Sequence, residues 1–170
     1  MDEGTDLETQ IGVWLRRRDL KLVTAESCTG GLLGHRITNV PGSSDYYLGG
    51  IVSYAYEAKE CLLGVRHETL TRFGAVSQET ALEMAAGARE ALSGKFRQDQ
   101  MVGVSVTGIA GPGGGLPNKP VGTVWIGLSA PEVHQAWVFH FQGSRVENKT
   151  QSAEQALLIL LDYLQGKITP

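Results

Sequence analysis

Cysteine is scarce in this 170-residue chain: Cys28 and Cys61 are the only two. They lie in different segments and form no metal or redox spacing, which excludes a cysteine-built zinc module or dithiol centre. His35, His67, His134 and His140 likewise show no metal-ligand spacing. Charge of one sign is also lacking. With 15 Lys and Arg against 18 Asp and Glu the formal net charge is -3, so there is no basic footprint for nucleic acid. The densest like-charge run, Arg16-Arg17-Arg18, reads as the solvated end of a first helix. Hydrophobic residues make up 42% of the chain, yet no uninterrupted apolar run approaches the ~20 residues that span a bilayer. The N-terminus, M-D-E-G-T-D-L-E, is acidic and has neither the basic nor the apolar part of a signal peptide. No repeat, low-complexity stretch or linker breaks the sequence. The expectation is one soluble, cytoplasmic domain over 1–170, long enough for a real core.

What is present alternates between helix and strand. Leu7, Ile11, Trp14 and Leu15 recur at helical spacing over Asp6 to Arg18. Leu20 to Ala25 reads as a strand, Gly30 to Asn39 as a helix ending before Pro41-Gly42, and Gly49 to Tyr54 as a second strand. Glu57 to Leu63 is a short helix stopped by Gly64. Ser77 N-caps a helix running to about Leu92, with Ala81, Met84, Ala85 and Ala88 on one stripe. Met101 to Val106 is a strand of the kind buried on both faces. Val121 to Ser129 and Val133 to Phe141 form a hairpin through Ala130-Pro131-Glu132. In its second strand Trp137, Phe139 and Phe141 point one way, while Ala136, Val138 and His140 point the other. A final helix spans Val146 to Leu164. The pattern predicts an α/β fold, a three-layer α/β/α sandwich with a mixed, mostly parallel sheet.

The chemistry concentrates in T-A-E-S-C-T-G-G, Thr24 to Gly31, a strand–turn–helix junction. Ser27 and Cys28 are two potential nucleophiles at the carboxyl end of a strand. The amides of Thr29, Gly30 and Gly31 open the next helix, where unpaired N–H groups and the helix dipole attract anions. The same residues also suit a plain N-cap with closely packed glycines. Glu26 alternates to the other strand face and receives no chemical role.

Lys59 follows Tyr54 among Ala55, Ala58, Leu62 and Leu63. Burial there would lower its pKa and make it a base for a serine hydroxyl, with Tyr54 relaying a proton or orienting the amine. Alternatively Lys59 pairs with Glu57 or Glu60 on a solvated face. The loop T-G-I-A-G-P-G-G-G, Thr107 to Gly115, ends another strand at the ligand-binding edge of such sheets. It matches no standard phosphate motif and can equally be a shaped turn. Arg145 can bind a phosphate or carboxylate, or sit as a surface charge.

These segments, together with P-G-S-S at Pro41 to Ser44, Y-x-x-E-A-K at Tyr54 to Lys59, L-G-V at Leu63 to Val65, G-A-V-S at Gly74 to Ser77 and K-P-V-G-T-V at Lys119 to Val124, occur in an ordered series. The series resembles the CinA C-terminal domain family, whose characterised activity is deamidation of nicotinamide mononucleotide. The resemblance runs from about Leu7 to Leu164. It implies a stand-alone domain without the amino-terminal domain of longer CinA proteins, a role in pyridine nucleotide salvage, no metal or cofactor, and a homodimer. It also implies residue roles: Ser27 as nucleophile, Lys59 as its base and Tyr54 as their support. Thr29, Gly30 and Gly31, with Thr107, Gly108 and Gly111 of the second loop, would line the substrate site. Arg145, in G-S-R, matches the arginine of a G-D-R-like motif. One departure stands out. Tyr56 occupies a position where many members carry asparagine, which bears on substrate preference. A Cys28-dependent amidase and a non-catalytic nucleotide-binding module remain the alternative functions.

Overall fold

The computed structural model describes residues 6–169. Asp6 accepts a hydrogen bond from the Thr9 amide at 2.7 Å and starts α1, Leu7–Arg17. Next come β1 (Lys21–Glu26), α2 (Leu32–Thr38), β2 (Tyr47–Val52), α3 (Tyr56–Leu63), α4 (His67–Phe73) and α5 (Gln78–Ala91). Then β3 (Met101–Gly108), β4 (Thr123–Ser129), β5 (His134–His140) and α6 (Arg145–Leu164) complete the fold. The sheet order is β2-β1-β3-β4-β5. β1 runs parallel to β2 and β3, whereas β4 is antiparallel to both β3 and β5. Four of the five strands therefore point the same way, which is the mixed, mostly parallel sheet that the pattern predicts.

Strand alternation divides the core into two layers. Leu22, Val104 and Ile126 face Ile11, Leu15, Leu33, Ile37 and Leu157 of α1, α2 and α6. Val23, Ala25 and Met101 face Leu63, Leu70 and Met84 of α3, α4 and α5. Helix α5 lies unusually close to the sheet. A Cβ at Gly103 would stand 2.1 Å from the Ala85 carbonyl oxygen, and one at Gly127 would stand 2.5 Å from that of Ala81. Ser105 fixes this approach by donating to the Ala81 carbonyl at 2.6 Å. Trp137 and Phe139 on β5 and Phe141 directly after it pack against the α1/α2/α6 core, and the two phenylalanine rings stack 5.8 Å apart. No helix among the described residues is long and apolar enough to cross a membrane.

Several boundaries differ from the sequence expectation. The helix expected from Gly30 begins at Leu32, because Gly30 and Gly31 both take positive φ angles (63° and 99°) and form a left-handed turn ahead of it. β2 begins and ends two residues early, so Tyr54 lies in the β2–α3 connection and not at the strand end. β4 begins at Thr123, not Val121. Gly122 has φ 88°, and a Cβ there would meet the Phe141 carbonyl oxygen at 1.8 Å. Helix α4 was not expected at all. Its segment H-E-T-L-T-R-F is short, only Leu70 and Phe73 are large and apolar, and no side chain caps it. A full capping box stands at Ser144 and Glu147, before α6, where the sequence reading placed no cap.

Candidate active site

The site forms where the chain leaves β1 toward β2 on one side and β3 lies on the other, a switch point at the carboxyl edge of the sheet. The Ser27 amide continues the pairing with β3, donating to the Val106 carbonyl at 2.9 Å. Alternation then places Ser27 on the same side as Val23 and Ala25, toward α3. Lys59 on α3 reaches it. Its Nζ donates to Ser27 Oγ at 2.9 Å and to the Ser53 carbonyl at 2.6 Å. Lys59 is 1% exposed and Ser27 7%, so the pair is shielded from water. Among the described residues no carboxylate answers the ammonium: Glu60, one of the two expected partners on α3, instead contacts His67 Nδ1 at 2.8 Å. Burial pushes the Lys59 pKa down from 10.5 to about 8.

Cys28, one residue on, is buried in the opposite layer, in the core under α1, α2 and α6. Burial pushes its thiol pKa up to about 12. At neutral pH it is a protonated, apolar-packed thiol, the state of an inert structural cysteine.

Glu26, given no role from sequence, explains the turn. One carboxylate oxygen accepts from the amides of Gly31 and Leu33, both at 3.0 Å, and the other from the amide of Gly34 at 2.9 Å. Of the amides that the sequence offered to a substrate anion, those of Thr29, Gly30 and Gly31, the protein's own carboxylate thus takes that of Gly31. Gly30 donates to the Ser27 carbonyl at 3.1 Å, closing the turn. Among the described residues no protein acceptor takes the amides of Cys28 and Thr29.

A second cluster ties the glycine-rich loop down. Arg145 donates through Nη1 to the Gly111 carbonyl at 2.6 Å and through Nη2 to Tyr54 Oη at 2.7 Å. Tyr54 is 61% exposed and bonds to Arg145 rather than to Lys59 or Ser27. Buried Asn148 donates to the Ala110 and Gly143 carbonyls, each at 3.0 Å, and accepts from the Gly143 amide at 3.0 Å. Thr107 donates to the Ala75 carbonyl at 2.7 Å, while the Ala75 amide donates to Tyr56 Oη at 3.2 Å. Tyr56 thus braces the α4–α5 connection against the start of α3. Gly108 pairs with Val124, and a Cβ on it would lie 2.6 Å from the Val124 side chain, so its smallness serves sheet packing.

Thr29, Gly30 and Gly31 line a cavity of about 420 Å³ with His35, Lys149 and Thr150. Another cavity of about 420 Å³, lined by Arg18, Asp99 and Tyr163 among others, lies at the opposite end of the sheet, away from Ser27. Two buried hydroxyls near the pair have no protein partner among the described residues, Ser53 Oγ and Thr29 Oγ1. The structure therefore joins Ser27 to Lys59, and Arg145 to Tyr54 and Gly111, as two separate bonded groups. Glu26, Ser53, Asn148 and Lys149 were not singled out from sequence. Only Glu26 had a usable signal, since a carboxylate just before a Gly-Gly helix start can fold back onto its amides.

Residues 4–164 match the model of the CinA C-terminal domain. The CinA-like protein of Salinibacter ruber is 50% identical over 151 residues, which cover 89% of this chain and 35% of that protein. The CinA-like protein of Thermotoga maritima is 44% identical over 153 residues, covering 90% and 36%. The chain thus spans little more than a third of these curated relatives. Among solved structures, a CinA superfamily protein from Klebsiella pneumoniae superposes with a TM-score of 0.86 at 32% identity, covering 94% of this chain and 96% of that one. A competence/damage inducible protein from Agrobacterium tumefaciens gives 0.75 at 38% identity, with 97% and 99% covered.

Proposed function

This chain belongs to the CinA C-terminal domain family, and from that premise we propose that it is an amidohydrolase converting nicotinamide mononucleotide and water to nicotinate mononucleotide and ammonia. The observation that carries the reading is the buried Lys59 Nζ–Ser27 Oγ contact of 2.9 Å. A lysine with a pKa of about 8 is neutral in roughly one molecule in ten at pH 7. In that form the contact reverses. Ser27 donates its proton to Nζ, and Oγ attacks the carboxamide carbon. The Ser53 carbonyl keeps the amine aimed, as the third member of a nucleophile–base–orienter set does.

Attack places negative charge on the carbonyl oxygen. The uncommitted amides of Cys28 and Thr29, directly after the nucleophile, are the nearest backbone donors in sequence, and one such donor contributes about 3–4 kcal/mol to barrier lowering. The C–N bond then breaks as Lys59 returns its proton to the leaving nitrogen, giving ammonia and an acyl-Ser27 ester. Water attacks the ester, again losing its proton to Lys59, and Ser27 is released protonated. Tyr54, Arg145 and Gly111, held together by the Arg145 bridge, would form the far wall with Thr107. Thr29, Gly30 and Gly31 would form the near one. In this reading the tyrosine positions the wall and does not itself touch the proton.

Cys28 does not suit the same role, because its thiol is buried in the other layer and its thiolate is strongly disfavoured. The test is ammonia release from the mononucleotide by the wild type and two variants. Ser27→Ala is expected to lose about three or more orders of magnitude in kcat, while Cys28→Ala keeps activity within a few-fold. A dead Cys28→Ala beside an active Ser27→Ala would reverse the assignment. No ammonia from the wild type would leave a binding module.

A further inference from the structure

We propose that the groove between the Gly30-Gly31 turn and the first turns of α6 is a phosphate-monoester subsite, with Lys149 as its cation and the Thr29 hydroxyl as its donor. The inference deepens the amidase reading and rests on it for the identity of the substrate.

Two obvious anion binders are already engaged. The α2 amides of Gly31, Leu33 and Gly34 hold the Glu26 carboxylate. Arg145 is bonded through both Nη atoms to the Gly111 carbonyl and Tyr54 Oη. A dianion arriving beside Ser27 therefore needs another cation. Lys149 lies on the wall of the cavity of about 420 Å³ that starts two residues past the nucleophile. Its Nζ is 3.8 Å from where a Cβ on Gly30 would stand, so it hangs directly over the turn. Among the described residues it makes no ion pair or hydrogen bond. The carboxylate of its own helix turn, Glu147, is occupied in the capping box with Ser144. Glu26, the other acid near this turn, is met by its three amides.

The independent sign of a ligand is Thr29. It lines the same cavity, is 1% exposed, and its Oγ1 has no partner. A buried hydroxyl without an acceptor is costly unless something enters to take it. A phosphate oxygen offers an acceptor to Thr29 and a charge to Lys149 at once. The rest of the cavity lining is Gly30, Gly31, His35 and Thr150, with Leu32 and Val146 as its apolar part. The N-terminal end of α6, a 20-residue helix, adds a favourable field for an anion.

The test compares kcat/KM for nicotinamide mononucleotide with that for the unphosphorylated riboside. In Lys149→Met the mononucleotide-to-riboside ratio is expected to fall by about 10- to 100-fold, the usual size of a lost charge-assisted contact. Lys149→Arg should restore most of it, and Thr29→Val should lower it by less. Arg145→Ala should lower both substrates together, because it loosens a wall and not the phosphate contact. An unchanged ratio in Lys149→Met overturns the proposal while leaving the amidase reading intact. If instead the wild type releases no ammonia, that reading fails, and titration with inorganic phosphate decides the subsite alone. Saturable amide shifts at Thr29 and Gly30 that vanish in Lys149→Met support it, and their absence overturns it.

Discussion

Glu26 and Ser27 are neighbours in the chain, both buried and both polar, yet they serve opposite layers of the molecule. Glu26 points with Leu22 and Thr24 toward α2, where three amides satisfy its carboxylate. Ser27 points with Val23 and Ala25 toward α3, where it meets a lysine with no counter-charge. One side is electrostatically complete, and the other is left poised. A buried charge ringed by donors stabilises a turn and resists change. A buried cation without an anion lowers stability and gains reactivity, because the neutral amine is the base that the chemistry needs. The two-residue period of a strand end is enough to hold these opposite environments one peptide bond apart.

The sharpest way to break this comparison is Lys59→Met. The side chain has a similar length and no charge, so kcat is expected to fall by about three or more orders of magnitude. The same change should stabilise the fold. Lys59 has a pKa of about 8 when folded against 10.5 unfolded. Between those values the unfolded chain binds a proton that the folded chain gives up, so the stability attributable to Lys59 rises with pH through that window. Below pH 8 the full cost is present, about 3 kcal/mol. Removing the amine also strands the Ser53 carbonyl, so the expected net gain at pH 7 is about 1–2 kcal/mol, read from urea unfolding. A destabilised Lys59→Met would mean that the amine is structural, as Glu26 is.

Glu26→Ala is the converse. It leaves three amides at the α2 start without their acceptor and is expected to cost about 2–4 kcal/mol in urea unfolding. Any loss of rate should follow from a disordered turn, and Glu26→Gln, which keeps one acceptor oxygen, should fall between. A variant as stable as the wild type but inactive would place Glu26 in the chemistry and erase the contrast.

Much of this was legible in the sequence, and what was not has physical reasons. The apolar stripes of α5 and α6, the both-faces-buried β3 and the Gly64 stop after α3 are local patterns, and they form as read. The union of Ser27 with Lys59 was available only as one of two options, since a helix lysine is equally able to reach Glu57 or Glu60. Burial decides it, and burial is a property of the whole packing. Of the three amides offered to an anion, the turn geometry commits those of Gly30 and Gly31 within the protein and leaves that of Thr29 uncommitted. Two positive-φ glycines move the helix start to Leu32 and bring its amides over Glu26. Asn148 holds the Ala110 carbonyl and Lys149 lies over the Gly30 turn, both from a helix distant in sequence whose visible signal was its apolar face. Nothing local marks them. Tyr56, noted as an unusual aromatic, turns out to accept from the Ala75 amide, a brace that no spacing rule would suggest.

The central claim is that Lys59 works as a neutral base on Ser27, and the pH dependence of kcat/KM for ammonia release tests it most directly. With a pKa of about 8, the rate should rise about tenfold per pH unit from pH 6 and level off above about 8. Ser27→Ala should show no such limb. A profile that is flat from pH 6 to 9, or one that falls as the pH rises through 8, would mean that the lysine acts as its ammonium, and the Ser27–Lys59 mechanism would be wrong.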